Sequence, residues 1–141
     1  LKWTRDEFSQ ACVAALPSVR AITLEPGRAI VQNCFAIRTR VLEKRETESD
    51  LSVIVDTSIG DVPEATHYPH PVYNVTKDYK ILDANSRETG AKNGRVLGWT
   101  CMEADILAMG LDLRRTDPGD ELLILSAGSY DRSMAYGFGR G

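Results

Sequence analysis

Residues 21–42 read AITLEPGRAIVQNCFAIRTRVL. From Phe35 the chain alternates, with Phe35, Ile37, Thr39 and Val41 on one side and Arg38 and Arg40 on the other. That is the period of a half-buried strand. Ala21 to Leu24 predicts a second, shorter strand. Between them stands Glu25-Pro26-Gly27-Arg28, two opposite charges around a helix-breaking Pro-Gly. One reading is a surface turn. The other is a site: a glycine N–H and an arginine fork just past a strand end suit a phosphate. A carboxylate beside them could hold a protonated ring nitrogen.

Upstream, WTRDEFSQACVAAL predicts a helix from Trp3 to Leu16. Thr4 and Glu7 have the capping-box spacing, and Trp3 and Phe8 stand where a hydrophobic staple forms. Phe8, Ala11, Cys12, Ala15 and Leu16 make one apolar face, and Pro17 stops it. Downstream, EKRETESD is a charged hairpin end, and LSVIV is a buried strand. DTSIGDVPEATHYP is a loop, HPVYNV and YKIL are strands, NSRETGAKNGR is a loop, and RVLGWTC is a strand. MEADILAMGL predicts a short helical turn, and TDPGD a turn into the strand ELLILSA. One helix and strand followed by closely spaced strands predicts an α+β chain with a mostly β body, of barrel or sandwich type.

The chain has 141 residues, enough for one domain with a sizeable core. Its net charge of −3 gives no electrostatic case for nucleic acid or an anionic membrane. No apolar run approaches the roughly 20 residues of a membrane helix. LKWTRDEF is amphipathic from its start and carries no signal-peptide pattern. The chain opens without an initiator Met, as expected of a fragment, a processed chain or a trimmed one. Cys12, Cys34 and Cys101 are odd in number and far apart, which fits a reducing cytoplasm better than a disulfide framework. No CxxC spacing exists, and His67 and His70, flanked by prolines, cannot close a zinc site alone, so no metal is expected.

Two further stretches carry chemistry. In GWTCMEADIL, Cys101 follows a strand with Glu103 and Asp105 close by. It reads either as a reactive thiol or proton donor, or as a small buried hydrophobe. In LSAGSYDRSMAYGFGRG a strand ends in Ala-Gly-Ser-Tyr. Tyr130 then either aims a hydroxyl at a ligand or belongs to a flexible tail.

The order EPGR, GWTC with acids, PGDELL and AGSY resembles the C-terminal part of the fold-type III pyridoxal-phosphate decarboxylases, from about Arg20 onward. These ornithine and diaminopimelate decarboxylases are structurally related to alanine racemase. The resemblance implies that residues 1–28 are the last helix and strand of a cofactor-binding (β/α)₈ barrel, and that residues 29–141 form the C-terminal β-domain. It implies that Glu25 pairs with the pyridinium nitrogen of pyridoxal 5'-phosphate, and that Gly27, Arg28 and Tyr130 hold its phosphate. Cys101 then reaches a partner subunit's site across a homodimer interface, as catalytic proton donor. The partners implied are an amino-acid substrate, the barrel part of the same protein and a second copy, in the cytoplasm, within polyamine or diamine biosynthesis.

The departures bear on the substrate. Met102 stands where the family usually has an acid, which leaves Glu103 as the nearest substrate-binding carboxylate. The Arg and Tyr that the diaminopimelate enzymes carry before a His-Pro fall on Val62 and Thr66, although Pro63 and His70-Pro71 remain. This argues against diaminopimelate itself. The Schiff-base lysine belongs to the barrel, so none is assigned, and the chain alone is expected to be inert. The alternatives are a non-catalytic regulatory or dimerisation homologue, or an amino-acid racemase.

Overall fold

The computed structural model describes residues 4–76, 80–85 and 93–138. Helix α1 (Arg5–Ala15) starts on the expected capping box: the Glu7 N–H donates to Thr4 Oγ1 at 3.3 Å and the Thr4 N–H donates to Glu7 Oε2 at 2.8 Å. Trp3, the other half of the expected staple, lies outside the described residues. Leu16 caps the helix just before Pro17, as that ring requires.

Ala21 to Leu24 is not a strand. A strand needs a neighbour to pair with, and this segment hydrogen-bonds to none among the described residues. Nor does EPGR stay a simple turn: Gly27 and Arg28 open a short helix, α2 (Gly27–Val31), with Pro26 at its cap. A 3₁₀ turn at Gln32–Cys34 follows.

Seven strands then form one hydrogen-bonded series: β1 (Ile37–Glu46), β2 (Asp50–Val55), β3 (Val72–Val75), β4 (Ile81–Asp83), β5 (Asn93–Leu97), β6 (Ile106–Leu111) and β7 (Glu121–Ile124). The order is β4-β3-β7-β1-β2-β5-β6. All neighbours are antiparallel except β2 and β5. Strand β1 serves both halves. Ile37 to Arg40 pair with β7, and Val41 to Glu46 pair with β2, with a register shift between Val41 and Glu43. Such a bulge bends a strand, here where the series passes from one half to the other.

One core draws on both halves: Val41, Leu51, Val53, Val55, Val72, Val96, Leu107, Leu122 and Ile124 are fully buried in a single cluster. Each such side chain contributes about 1.5–3 kcal/mol by leaving water. The expected α+β, mostly β architecture is therefore present, but the expected closure is not. Among the described residues β4 and β6 are open edges, and the Pro63–Thr66 turn packs against β6.

The predicted helical turn in MEADILAMGL is also corrected: Ile106–Leu111 is strand β6, paired with β5. The loop DTSIGDVPEATHYP is a loop, yet not a surface one: Ile59, Val62 and Glu64 are buried. Most of NSRETGAKNGR lies outside the described residues. After β7 a single helical turn, α3 (Asp131–Met134), ends the described fold.

Candidate functional site

The EPGR and AGSY stretches are far apart in sequence, at residues 25–28 and 127–130, and meet in space. The meeting is made by backbone. The Ala127 N–H donates to the Phe35 carbonyl at 3.1 Å, and the Gly128 N–H donates to the Gln32 carbonyl at 3.0 Å. Only glycine fits at 128, because a Cβ there would lie 1.8 Å from the Val31 carbonyl oxygen. Gly128→Ala is therefore expected to cost at least about 1–3 kcal/mol of stability, measured as a lower denaturation midpoint. An unchanged midpoint would mean that the two segments can part freely.

This docking brings Tyr130 over Gly27. A Cβ at Gly27 would sit 3.1 Å from the Tyr130 hydroxyl, so the glycine keeps open a small hollow under that oxygen. Tyr130 itself has φ 68°, ψ −29°, a left-handed conformation unusual for an aromatic residue. Strain of this kind costs roughly 1–3 kcal/mol and gathers at functional sites. The Arg28 guanidinium lies 3.9 Å from the Tyr68 ring centroid and 5.3 Å from that of Tyr130. It forms an ion pair with the Glu64 carboxylate. The Glu64 side chain is 7% exposed and that of Arg28 25%, so the pair is seated in the protein with one edge toward solvent. The hydrogen bond to Glu64 raises the guanidinium's already high pKa, and Arg28 remains a fixed cation.

Behind this cluster lie Asp131 and His70. Asp131 Oδ1 accepts the Glu64 N–H at 3.1 Å, and His70 Nδ1 lies 2.9 Å from the Leu125 carbonyl. Burial raises the Asp131 carboxyl above its ordinary value.

A second cluster forms around Asp105, on the turn before β6. Its Oδ1 accepts the Ile59 N–H at 2.7 Å, and its Oδ2 accepts the Thr100 N–H at 2.9 Å and the Thr100 hydroxyl. Gly98 makes room for it, since a Cβ there would lie 2.1 Å from Asp105 Oδ1. The carboxylate thus staples the Gly98–Cys101 loop to the Ile59 segment. Cys101 stands exposed at the end of that loop, so it is not a small buried hydrophobe. Glu103 is exposed beside it.

Of the residues singled out from sequence, Gly27, Arg28 and Tyr130 come together. Glu25 is next to them in the chain and exposed. Cys101 and Glu103 form a separate group: among the described residues no hydrogen bond or ion pair joins them to Arg28 or Tyr130. The segment from Ile59 to His70 touches both clusters. Glu64 and Tyr68 were not anticipated as partners of Arg28, nor Asp131 as the acceptor behind Glu64, because each acquires its role through contacts across 36 or more residues. Among the described residues no group of His, Cys, Asp and Glu could hold a metal, and no helix is long and apolar enough to cross a membrane.

Residues 16–128 match the family described as pyridoxal-dependent decarboxylase, C-terminal sheet domain. The chain is 31% identical over 132 residues to a diaminopimelate decarboxylase of Helicobacter pylori (strain J99), covering 92% of this chain and 31% of that protein. It is 34% identical over 117 residues to the diaminopimelate decarboxylase of Neisseria meningitidis serogroup B, covering 81% of this chain and 26% of that one. The crystal structure of the Helicobacter pylori diaminopimelate decarboxylase complexed with L-lysine superposes with a TM-score of 0.72 at 26% identity, over 94% of this chain and 31% of that one. An arginine decarboxylase of Paramecium bursaria Chlorella virus shares the fold, with a TM-score of 0.70 at 18% identity, over 96% of this chain and 36% of its own. The chain thus spans about a third or less of the length of its curated relatives. With the sheet matched along most of its length, the chain belongs to the pyridoxal-dependent decarboxylases, as their C-terminal sheet domain.

Proposed function

We propose that this chain is the C-terminal part of a pyridoxal-phosphate-dependent amino-acid decarboxylase and supplies the cofactor's phosphate contacts. The observation that carries the reading is the convergence of Gly27, Arg28 and Tyr130 from two distant stretches. A hollow that a Cβ would fill, a fixed cation and a phenol hydroxyl match a phosphate monoester. Glu25 stands close enough in sequence to serve as the partner of a ring nitrogen. When bound, pyridoxal phosphate supplies an electron sink for the pair released as the carboxylate leaves. The protein's own part is to bind, orient and donate: Arg28 neutralises the phosphate, Glu25 keeps the ring nitrogen protonated, and the Cys101 thiol delivers a proton to carbon.

The same reading divides the chain into barrel elements at residues 1–28 and a β-domain at 29–141. The apolar face of α1 and the segment after it support this, since Phe8, Leu16, Val19, Ile22 and Leu24 are exposed and call for a covering structure. Because Cys101 is remote from Arg28 in contacts yet exposed, it serves a second copy's site, with Glu103 beside it for the substrate. The enzyme is then a homodimer acting on an amino acid in diamine or polyamine metabolism. Diaminopimelate fits poorly, because Val62 is fully buried and the Thr66 hydroxyl is occupied by the Pro63 carbonyl at 2.8 Å. Three unpaired cysteines suit a reducing compartment such as the cytoplasm.

One observation favours the second reading, a non-catalytic homologue: Glu64 already occupies Arg28. Titrating the full-length protein with pyridoxal phosphate by absorbance separates the two. A charge-assisted phosphate contact contributes roughly 1.5–3 kcal/mol, so Arg28→Ala is expected to raise the cofactor Kd roughly 10- to 150-fold. Equal affinity in wild type and variant would reject the phosphate role of Arg28.

A further inference from the structure

His70 Nε2 and Asp131 Oδ2 face each other at 3.9 Å. Their side chains are 2% and 1% exposed, and neither atom has a hydrogen-bond partner. Two buried polar atoms left unpaired side by side would cost roughly 1–3 kcal/mol each. The other ring nitrogen settles what can pass between them. His70 Nδ1 lies against the Leu125 carbonyl, which can only accept, so Nδ1 carries a hydrogen. In the neutral ring Nε2 is then a bare lone pair. Facing an ionised Asp131, it would set acceptor against acceptor. One proton on either atom turns this repulsion into a hydrogen bond, after a small rotation of either side chain.

We propose that His70 and Asp131 hold a single proton between them and are positioning residues for the anion site, fixing Glu64 and through it the Arg28 guanidinium. The proposal rests on the reading of Arg28 as a phosphate contact. The path is continuous. Asp131 Oδ1 holds the Glu64 backbone N–H at 3.1 Å, and Glu64 holds Arg28 by its carboxylate. Glu64 from the Pro63–Thr66 turn and Arg28 from α2 are the charged groups that act on Asp131 besides His70, and Arg132 is its exposed neighbour on α3. Two of these are cations and one an anion, so the surroundings tolerate either location of the proton.

The sign of the pH dependence follows. Burial raises the Asp131 carboxyl above its ordinary value, so the pair keeps its proton to higher pH than an ordinary aspartate would and loses it as pH rises further. Once it is lost, carboxylate and imidazole lone pairs repel, Asp131 withdraws, and the Glu64 N–H loses its acceptor. Arg28 is then less well placed for a phosphate.

The test is cofactor titration of the full-length protein across pH, with Arg28→Ala, Asp131→Ala and Asp131→Asn. Asn keeps an acceptor for Glu64 and offers N–H to the neutral His70 Nε2, so it replaces the shared proton by a permanent hydrogen. Asp131→Ala is expected to weaken cofactor binding about 10-fold. Asp131→Asn is expected to retain affinity within about 2-fold at mildly acidic pH and to lack the decline expected of wild type as pH rises. Nitrogen-15 NMR of His70 supplies a readout free of the cofactor. Its Nε2 resonance should differ between wild type, where the proton is shared with Asp131, and Asp131→Asn, where Nε2 only accepts a hydrogen bond. If Asp131→Asn follows the wild-type pH profile, or the His70 Nε2 resonance is the same in both, no proton is shared and the proposal falls, whether or not Asp131→Ala folds. If Arg28→Ala binds cofactor as wild type does, the phosphate site falls first. If Arg28→Ala weakens binding and Asp131→Ala does not, only the positioning role is lost.

Discussion

Cys101→Ala in the full-length enzyme is expected to lower turnover about 10²–10⁴-fold, the range of a lost general acid, while cofactor affinity and stability stay unchanged. The three parts of that expectation have separate grounds. The thiol is exposed and lies outside the core cluster, so trimming it opens no cavity there. The phosphate contacts are drawn from Gly27, Arg28 and Tyr130, to which Cys101 has no bond among the described residues. What remains for the thiol is the proton that must reach carbon after the carboxylate has gone. A shortfall there should also appear as misprotonated product, because water or a neighbouring group would complete the step less selectively. Steady-state decarboxylation, product analysis and absorbance titration with cofactor make the decisive set. Normal turnover in Cys101→Ala would assign proton delivery elsewhere and leave the thiol without a chemical role.

How far this was readable in the residues depends on the range of the interaction. Strand β1 was legible because its alternation is local: Thr39 and Val41 are buried, and Arg38 and Arg40 are exposed. The α1 cap was legible for the same reason, since Thr4 and Glu7 need only three residues of separation. Strand β6 was misread as a helical turn. Leu107 and Leu111 are its buried residues at helical spacing, Met109 between them is exposed, and register shifts against β5 disturb the two-residue alternation. Ala21 to Leu24 failed in the opposite way: its composition suits a strand, but no described strand offers a partner. At the candidate site, Gly27, Arg28 and Tyr130 were recognised as motif residues. The burial of Glu64 and Asp131 could not be, because both are charged and follow a Pro or a Tyr in stretches that read as loop and tail. Only the fold sets Asp131 beneath Glu64 and Glu64 against Arg28. Asp105 was noticed as an acid near Cys101 and taken as part of its chemistry. Its 3% exposure and three accepted hydrogen bonds make it a structural anchor instead.

That anchor should give the largest loss of stability. Asp105→Ala strands the Ile59 and Thr100 N–H groups and the Thr100 hydroxyl, and leaves a void beside Gly98. A stranded buried donor costs about 1–3 kcal/mol, so a total of about 3–5 kcal/mol is expected, with the Tm falling by roughly 10 °C or more. The Gly98–Cys101 loop would be freed, so turnover should drop as it does in Cys101→Ala, but here together with stability. Gly98→Ala attacks the same contact from the other side, because its Cβ would occupy the position of the carboxylate. The two changes should therefore be strongly non-additive: once Asp105 is gone, the added methyl meets an empty space. Denaturant unfolding of both single variants and the double variant measures the coupling. If the double variant costs the sum of the singles, Gly98 and Asp105 act independently. The carboxylate would then not be what holds the loop that carries Cys101.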